Sequence, residues 1–293
     1  MTIPKVSICI PAYKQIEYLQ RTLNSIQIQI FRDYEIILTD DSSKEDNSVK
    51  NIVDTYDFKT KLKYFKNEKR LGSPANWNRA IELASGEYIK ILHHDDWFTN
   101  SDSLEKFVDL LDHNSKADFA FSSSLVWDIK NNIKRLNRVQ KKYLRRLSNN
   151  PESLFFGNII GAPSATIFRR NTHEIFDQKL KWVVDIDFYI RLLKKNDFVG
   201  YCDEALICTP DKASHQVTQL CINNKAIELF EYIYLFNKIY HKDIKLYKYY
   251  IFFIKLFKKY NVISMDIFNQ LNIKFYPIEF FKKVLKFKNF FWL

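Results

Sequence analysis

Residues Gly86 to Phe98 read Gly–Glu–Tyr–Ile–Lys–Ile–Leu–His–His–Asp–Asp–Trp–Phe: a turn, a short apolar run, then two adjacent carboxylates where that run stops. Tyr88 to Leu92 is compatible with a buried strand bounded by glycine on one side and charge on the other. A strand that ends in acid holds carboxylate oxygens at the rim of a sheet. In open α/β sheets the rim beyond the carboxyl ends of the strands is where ligands bind. Oxygen-rich clusters there suit hard cations such as Mg2+ or Mn2+ carrying phosphates. Asp95 and Asp96 have a plainer reading as caps of a following helix, a role acidic residues fill well.

Two earlier strands stop in the same way. Lys5 to Ile10 is halted by Pro11–Ala12–Tyr13, and Glu35 to Thr39 runs into Asp40–Asp41–Ser42–Ser43. Between and after them the apolar spacing turns helical: Leu19, Leu23 and Ile26 within Glu17–Gln27, then Val49, Ile52, Val53 and Tyr56 within Ser43–Tyr56. Leu62 to Phe65 is a further strand. Strand and helix alternating at this rhythm predict parallel βαβ units, the first half of a nucleotide-binding sheet. Ser101 to His113 then reads as a helix and Asp118 to Phe121 as a strand.

The order strand–Pro–x–Tyr, strand–Asp–Asp–Ser–Ser, Gly–Glu–Tyr–x–x–x–Leu–His–x–Asp–Asp resembles the inverting, nucleotide-sugar-dependent glycosyltransferases of family 2. The resemblance runs from about Val6 to about Thr218. It implies an α/β chain of the GT-A fold, a mixed sheet flanked by helices, that moves a sugar from a nucleotide donor, most plausibly a UDP-sugar. The acceptor would be a hydroxyl of a glycan or lipid-linked molecule. On the family's pattern, Pro11, Ala12, Tyr13 and Asp41 would hold base and ribose. Arg70 and Asn76, in the loop and helix start between Asn67 and Arg79, would approach the nucleotide. Ordinary turn chemistry explains Ser73 and Pro74 in that connection without explaining Arg70; a guanidinium beside a diphosphate is a natural clamp. The family's Asp–x–Asp reads His93–His94–Asp95 here. Asp95 would bind Mn2+ or Mg2+, His93 and His94 would sit at the nucleotide, and His215 would come back over the diphosphate as a further metal contact.

Residues 130 to 147 form a basic, glycine-free segment, read either as a solvated loop or as a holder of a phosphate-bearing acceptor. Gly157, Gly161 and Pro163 punctuate the stretch from Phe155 to Arg170; in similar proteins it lines the acceptor side of the cleft, and Ala165 to Phe168 can form a strand. Trp182 to Leu192 suits a helix beginning near Asp185. Carboxylates favour helix starts in any case. In the resembling enzymes a Glu–Asp pair here supplies the catalytic base, and Asp185 falls on its Asp, with Val184 replacing the Glu. Asp187 is the alternative, but residues two apart on a helix point away from each other.

Charge divides the chain. Of the net +11, the residues from Leu220 onward contribute +8, with 13 Lys, no Arg and 21 of the 47 aromatics. A boundary there predicts a GT-A domain over 1–219 and a helical aromatic and basic region over 220–293. Tyr250, Phe253, Ile254 and Phe257 share one helical face flanked by lysines, which predicts either attachment to an anionic membrane surface or packing on the core or on a second copy of the chain. No run of eighteen uncharged apolar residues and no basic-then-apolar leader occurs, so the expected location is cytoplasmic, with peripheral attachment to the inner face of the membrane. The four cysteines are scattered, as in a reduced compartment. Nucleic acid is not an expected partner: the lysines are interleaved with bulky apolar residues and no nucleic-acid motif is present. A catalytically inactive scaffold that retains the fold remains the other reading.

Overall fold

In the computed structural model, residues 3–211, 213, 216–241, 244–274 and 276–288 are described. They form two compact units, one of residues 1–179 and 184–214, the other of 180–183 and 215–293. His215 lies outside the described residues.

The first unit is built on a nine-stranded sheet. β1 (Val6–Ala12), β2 (Tyr34–Asp40), β3 (Leu62–Lys66) and β4 (Tyr88–Ile91) run parallel in the order β3-β2-β1-β4. Helices α1 (Ile16–Gln27), α2 (Ser48–Val53) and α3 (Ala75–Leu83) make the crossovers. β1, β2 and β4 are buried along their whole length, which is why they read as continuous apolar runs. The sheet then continues past β5 (Trp97–Phe98) and α4 (Ser103–Asp112) into β6 (Phe119–Asp128), β7 (Ile133–Asn137), α5 (Lys141–Asn149), β8 (Thr166–Arg169), α6 (Val184–Lys195) and β9 (Val199–Pro210). β8 joins β4 to β6 with both pairings antiparallel, β6 and β9 run parallel, β5 is antiparallel to β9, and β7 pairs with β6.

Several sequence expectations change here. Helix α2 keeps only the last part of Ser43–Tyr56, because the residues before it turn at the sheet rim, where the Ser48 amide bonds the Asp46 carboxylate. Asp95 and Asp96 cap no helix, since β5 follows them. The basic segment is not a solvated loop: β6 runs on to Asp128, whose carboxylate accepts from the Asn131 amide and side chain, closing a turn into β7.

The end of the sheet opposite the acidic rim is knitted tightly. Glu35 accepts from Ser7 Oγ at 2.6 Å, from the Ser85 amide and hydroxyl, and from Lys63. Burial pushes its carboxyl up, but these donors outweigh it and hold it at about 2. Gly86 is required beside it, since a Cβ there would meet the Ser7 backbone nitrogen at 2.6 Å.

The second unit is helical: α7 (Val217–Cys221), α8 (Lys225–Ile239), α9 (Tyr247–Lys259), α10 (Asp266–Gln270) and α11 (Ile278–Phe287). Its core is aromatic. The Phe236 ring lies within 6 Å of those of Tyr249, Phe253, Phe280 and Phe281. The face of α9 read as a membrane surface is spent inside this cluster: Phe253, Ile254 and Phe257 are buried, and Tyr250 stacks on Phe280. Packing within the chain, not lipid, covers it. In the same unit Glu231 accepts from the amides of Lys181, Trp182 and Val183 at 2.8–3.0 Å. Among the described residues no helix is long and apolar enough to cross a membrane.

Candidate active site

The carboxyl ends of β1, β2 and β4 lie side by side because the strands are parallel and in register. Their loops are tied together. The Asp41 amide donates to the Ala12 carbonyl, and His94 Nδ1 lies 3.1 Å from the Pro11 carbonyl. Arg70 is stacked over the Tyr13 ring at 4.3 Å, with Lys14 on the same ring at 5.5 Å. Pro11, Ala12, Tyr13, Asp41, Arg70 and His94 are thus brought to one rim.

Two residues expected at the nucleotide have other work. The Asp41 carboxylate accepts from the Leu71 and Gly72 amides and from Asn67 Nδ2, all within 2.8 Å. It closes the Asn67–Gly72 loop in a turn where Gly72 takes a positive φ of 75°. Asn76 is buried, its amide donating to the Thr39 carbonyl and accepting from Asn67, so it fastens α3 to β2.

The loop from His93 to Asp96 is held from below and from one side. Thr22 Oγ1 of α1 lies within 2.9 Å of the carbonyls of His94 and Asp96. Ser164 Oγ accepts from the His93 amide at 2.9 Å, and the Ser164 carbonyl accepts from the fully buried Lys90. Burial pulls the Lys90 ammonium down to about 7, and nearby Asp96 opposes that fall. Burial likewise pushes the Asp96 carboxyl up, countered by His93. Lys90 stood out in no sequence pattern, although a lone lysine in a strand otherwise buried was a visible signal.

His93, Asp95 and Asp96 offer ligand atoms all within 4.8 Å of one another. His93 Nδ1 faces Asp96 at 3.6 Å, its ring leans on Trp77 at 4.6 Å, and its Nε2 is buried without a hydrogen-bond partner. A residue with a buried, unpaired ring nitrogen grouped with two carboxylates suits a cation site, and one imidazole with two carboxylates suits Mn2+. The residues present therefore fit a divalent metal. The group is wider than Asp95 alone, taking in Asp96 and His93.

Asp185 lies in the first turn of α6, as expected. Its Oδ1 accepts from the Ile186 amide at 2.8 Å and its Oδ2 from Asn158 Nδ2 at 2.6 Å. Burial outweighs these bonds and lifts its carboxyl to about 6. Asn158 is itself fixed, its oxygen accepting from the Ile160 and Gly161 amides and its nitrogen donating to the Gly161 carbonyl. Tyr189 donates to that same carbonyl. Asn158 was not singled out by sequence, though it lies between the glycines that mark this loop. Asp187 is turned into the fold, 1 % exposed and paired with Arg191, which also binds Glu174.

A parallel β3-β2-β1-β4 half with helical crossovers, continued by antiparallel pairing through β8 to β6, has the GT-A architecture. The profile described as Glycosyl transferase family 2 matches residues 7–176, and the chain belongs to that family and is a transferase. It is 29% identical over 201 residues to an uncharacterized glycosyltransferase of Methanocaldococcus jannaschii, covering 68% of this chain and 67% of the other. It is 36% identical over 97 residues to the GalNAc(5)-diNAcBac-PP-undecaprenol beta-1,3-glucosyltransferase of Campylobacter jejuni, covering 32% of this chain and 30% of that one. The S. aureus TarS 1-349 structure in complex with UDP-GlcNAc shares the fold, with a TM-score of 0.64 at 18% identity over 97% of this chain and 80% of that one. The chain thus aligns with about two thirds of the first of these relatives and less than a third of the second.

Proposed function

We propose that the chain transfers a sugar, with inversion, from a UDP-sugar to a hydroxyl of a glycan or lipid-linked glycan in the synthesis of a surface polysaccharide. The observation that carries this reading is the His93, Asp95 and Asp96 group beyond β4, in the same unit as the buried Asp185 carboxyl held by Asn158. The undecaprenol-linked and UDP-GlcNAc ligands in the names of similar proteins support the choice of acceptor and donor class.

Arg70 and Tyr13 hold the nucleotide at the β1 and β2 rim, and the backbone around Pro11 and Ala12 faces the base. His93, Asp95 and Asp96 would hold Mn2+ or Mg2+, which when bound supplies positive charge to the diphosphate oxygens. Asp185 stands where it takes the proton of the acceptor hydroxyl as that oxygen bonds the anomeric carbon. The bond from that carbon to the diphosphate oxygen breaks on the opposite face, its electron pair leaving with the nucleoside diphosphate. The Asn158 side chain and the backbone amides of Asp185 and Ile186 keep the carboxylate aimed.

Isothermal titration with UDP in the presence and absence of Mn2+ tests the reading. Metal-dependent binding is expected in the wild type. An absence of UDP binding with metal present would favour the inactive scaffold.

A further inference from the structure

Lys90 lies in β4, between β1 and β8 and opposite Ile8, and is 0% exposed. A strand buried on both faces calls for apolar side chains, and an ammonium placed there gives up its water. Two rings return part of that loss, their centroids 4.4 Å (Phe107) and 5.6 Å (Phe98) from Nζ. Among the described residues no carboxylate forms an ion pair with it, and its hydrogen bonds go to two carbonyls, those of Ile91 and Ser164. The Ile91 bond reaches only the next residue and ties nothing together. The Ser164 bond spans 74 residues of sequence.

Ser164 is itself fully buried and bonds in two directions. Its carbonyl accepts from Lys90, while its hydroxyl accepts from the His93 amide at 2.9 Å. The segment that ends at Ser164 begins at Asn158, whose Nδ2 donates to Asp185 Oδ2 at 2.6 Å and to the Gly161 carbonyl. The Tyr189 hydroxyl holds that carbonyl as well. Residues 158–164 are thus bonded at one end to the Asp185 carboxyl and at the other to the turn that carries His93, Asp95 and Asp96. A methionine at position 90 would fill a similar volume without losing hydration, so packing alone gives no reason for the ammonium.

We infer that Lys90 is a positioning residue of the transferase site. By bonding the Ser164 carbonyl it keeps the hydroxyl of the same residue on the His93 amide, and so fixes the His93–Asp96 turn against the segment that aims Asp185. Thr22 holds that turn through the carbonyls of His94 and Asp96, which leaves its His93 end to Ser164 and Lys90. The inference rests on the reading of His93, Asp95 and Asp96 as the metal group, since the metal is what the position of this turn serves.

Titration of the full chain with Mn2+ in the presence of UDP, read by loss of the electron paramagnetic resonance signal of the free ion, tests it. Lys90→Met should weaken Mn2+ binding by about tenfold or more, as loss of a metal ligand's supporting partner does. Its melting temperature without metal should stay at or above that of the wild type, because a buried charge has gone. Ser164→Ala keeps the carbonyl and loses the hydroxyl, and should weaken Mn2+ binding to a similar degree. The double variant should bind about as weakly as the weaker single one, since both substitutions cut one path. Ser7→Ala removes a buried bond to Glu35 at the opposite end of the sheet; it should melt lower and bind Mn2+ as the wild type does. The inference is overturned if either single variant of the pair binds Mn2+ as the wild type does, if their losses add in full, or if Ser7→Ala weakens Mn2+ binding equally. A wild type that binds UDP no better with Mn2+ than without it overturns the metal reading itself, and the inference with it.

Discussion

Asp185 combines a raised carboxyl with a fixed orientation, and the two have separate consequences. Asp185→Asn keeps the shape and the Asn158 neighbour but cannot take a proton, so transfer should fall by about 10²–10⁴-fold while UDP binding persists, as measured by turnover and titration. The same change should raise the melting temperature at pH 8. The native carboxyl titrates at about 6 against an ordinary 3.8, so the folded state holds the proton more tightly; that advantage is full below 3.8 and lost as pH rises through 6. Above it a buried charge weighs on the fold, and the amide removes it. For turnover the sign is opposite: kcat/KM should rise with pH through about 6 and then level off. In Asn158→Ala the carboxylate loses a donor, so this limb should move to higher pH, a shift that a merely structural role for Asn158 would not produce.

At the scale of the element, the site is a set of loops at parallel strand ends, each fastened by a residue from somewhere else. The Asn67–Gly72 loop hangs on Asp41, and Asp41→Ala leaves three donors without their acceptor, at about 1–3 kcal/mol for each that stays buried. A lower melting temperature and a raised KM for donor are expected together, because Arg70 is carried on that loop. The His93–Asp96 turn should behave differently. His93→Ala removes the unpartnered Nε2 together with the Nδ1 contact to Asp96 and the ring packing on Trp77, so a modest drop in melting temperature is expected, while Mn2+-dependent UDP binding weakens by about tenfold or more, measured by titration across metal concentration.

At the scale of the whole molecule, the helical unit packs a cluster of rings among buried aliphatics such as Leu229, Ile233 and Val284. Phe253, wholly buried among Phe236, Phe257, Phe280 and Phe281, is its centre, and Phe253→Ala should cost about 3–5 kcal/mol in denaturant unfolding of that unit. The four parallel strands β1 to β4, the acidic rim and the start of α6 near Asp185 were legible in the sequence, because each follows from local periodicity and from where an apolar run meets a charge, whereas β5, β7, β9 and most of β6 were not. Hydrogen-bond economy was not. That Asp41 and Asn76 bond their polar atoms inside the fold, that Asn158 reaches across to Asp185, and that His93 leans on Trp77 with its Nε2 unpaired depend on partners brought together from distant positions. The aromatic face of α9 shows the same division: helical spacing determines that residues 250, 253, 254 and 257 share a face, but only the neighbouring helices decide what covers it. Periodicity is a property of one segment, whereas burial and pairing belong to the space between segments, and that space exists only once the chain has folded.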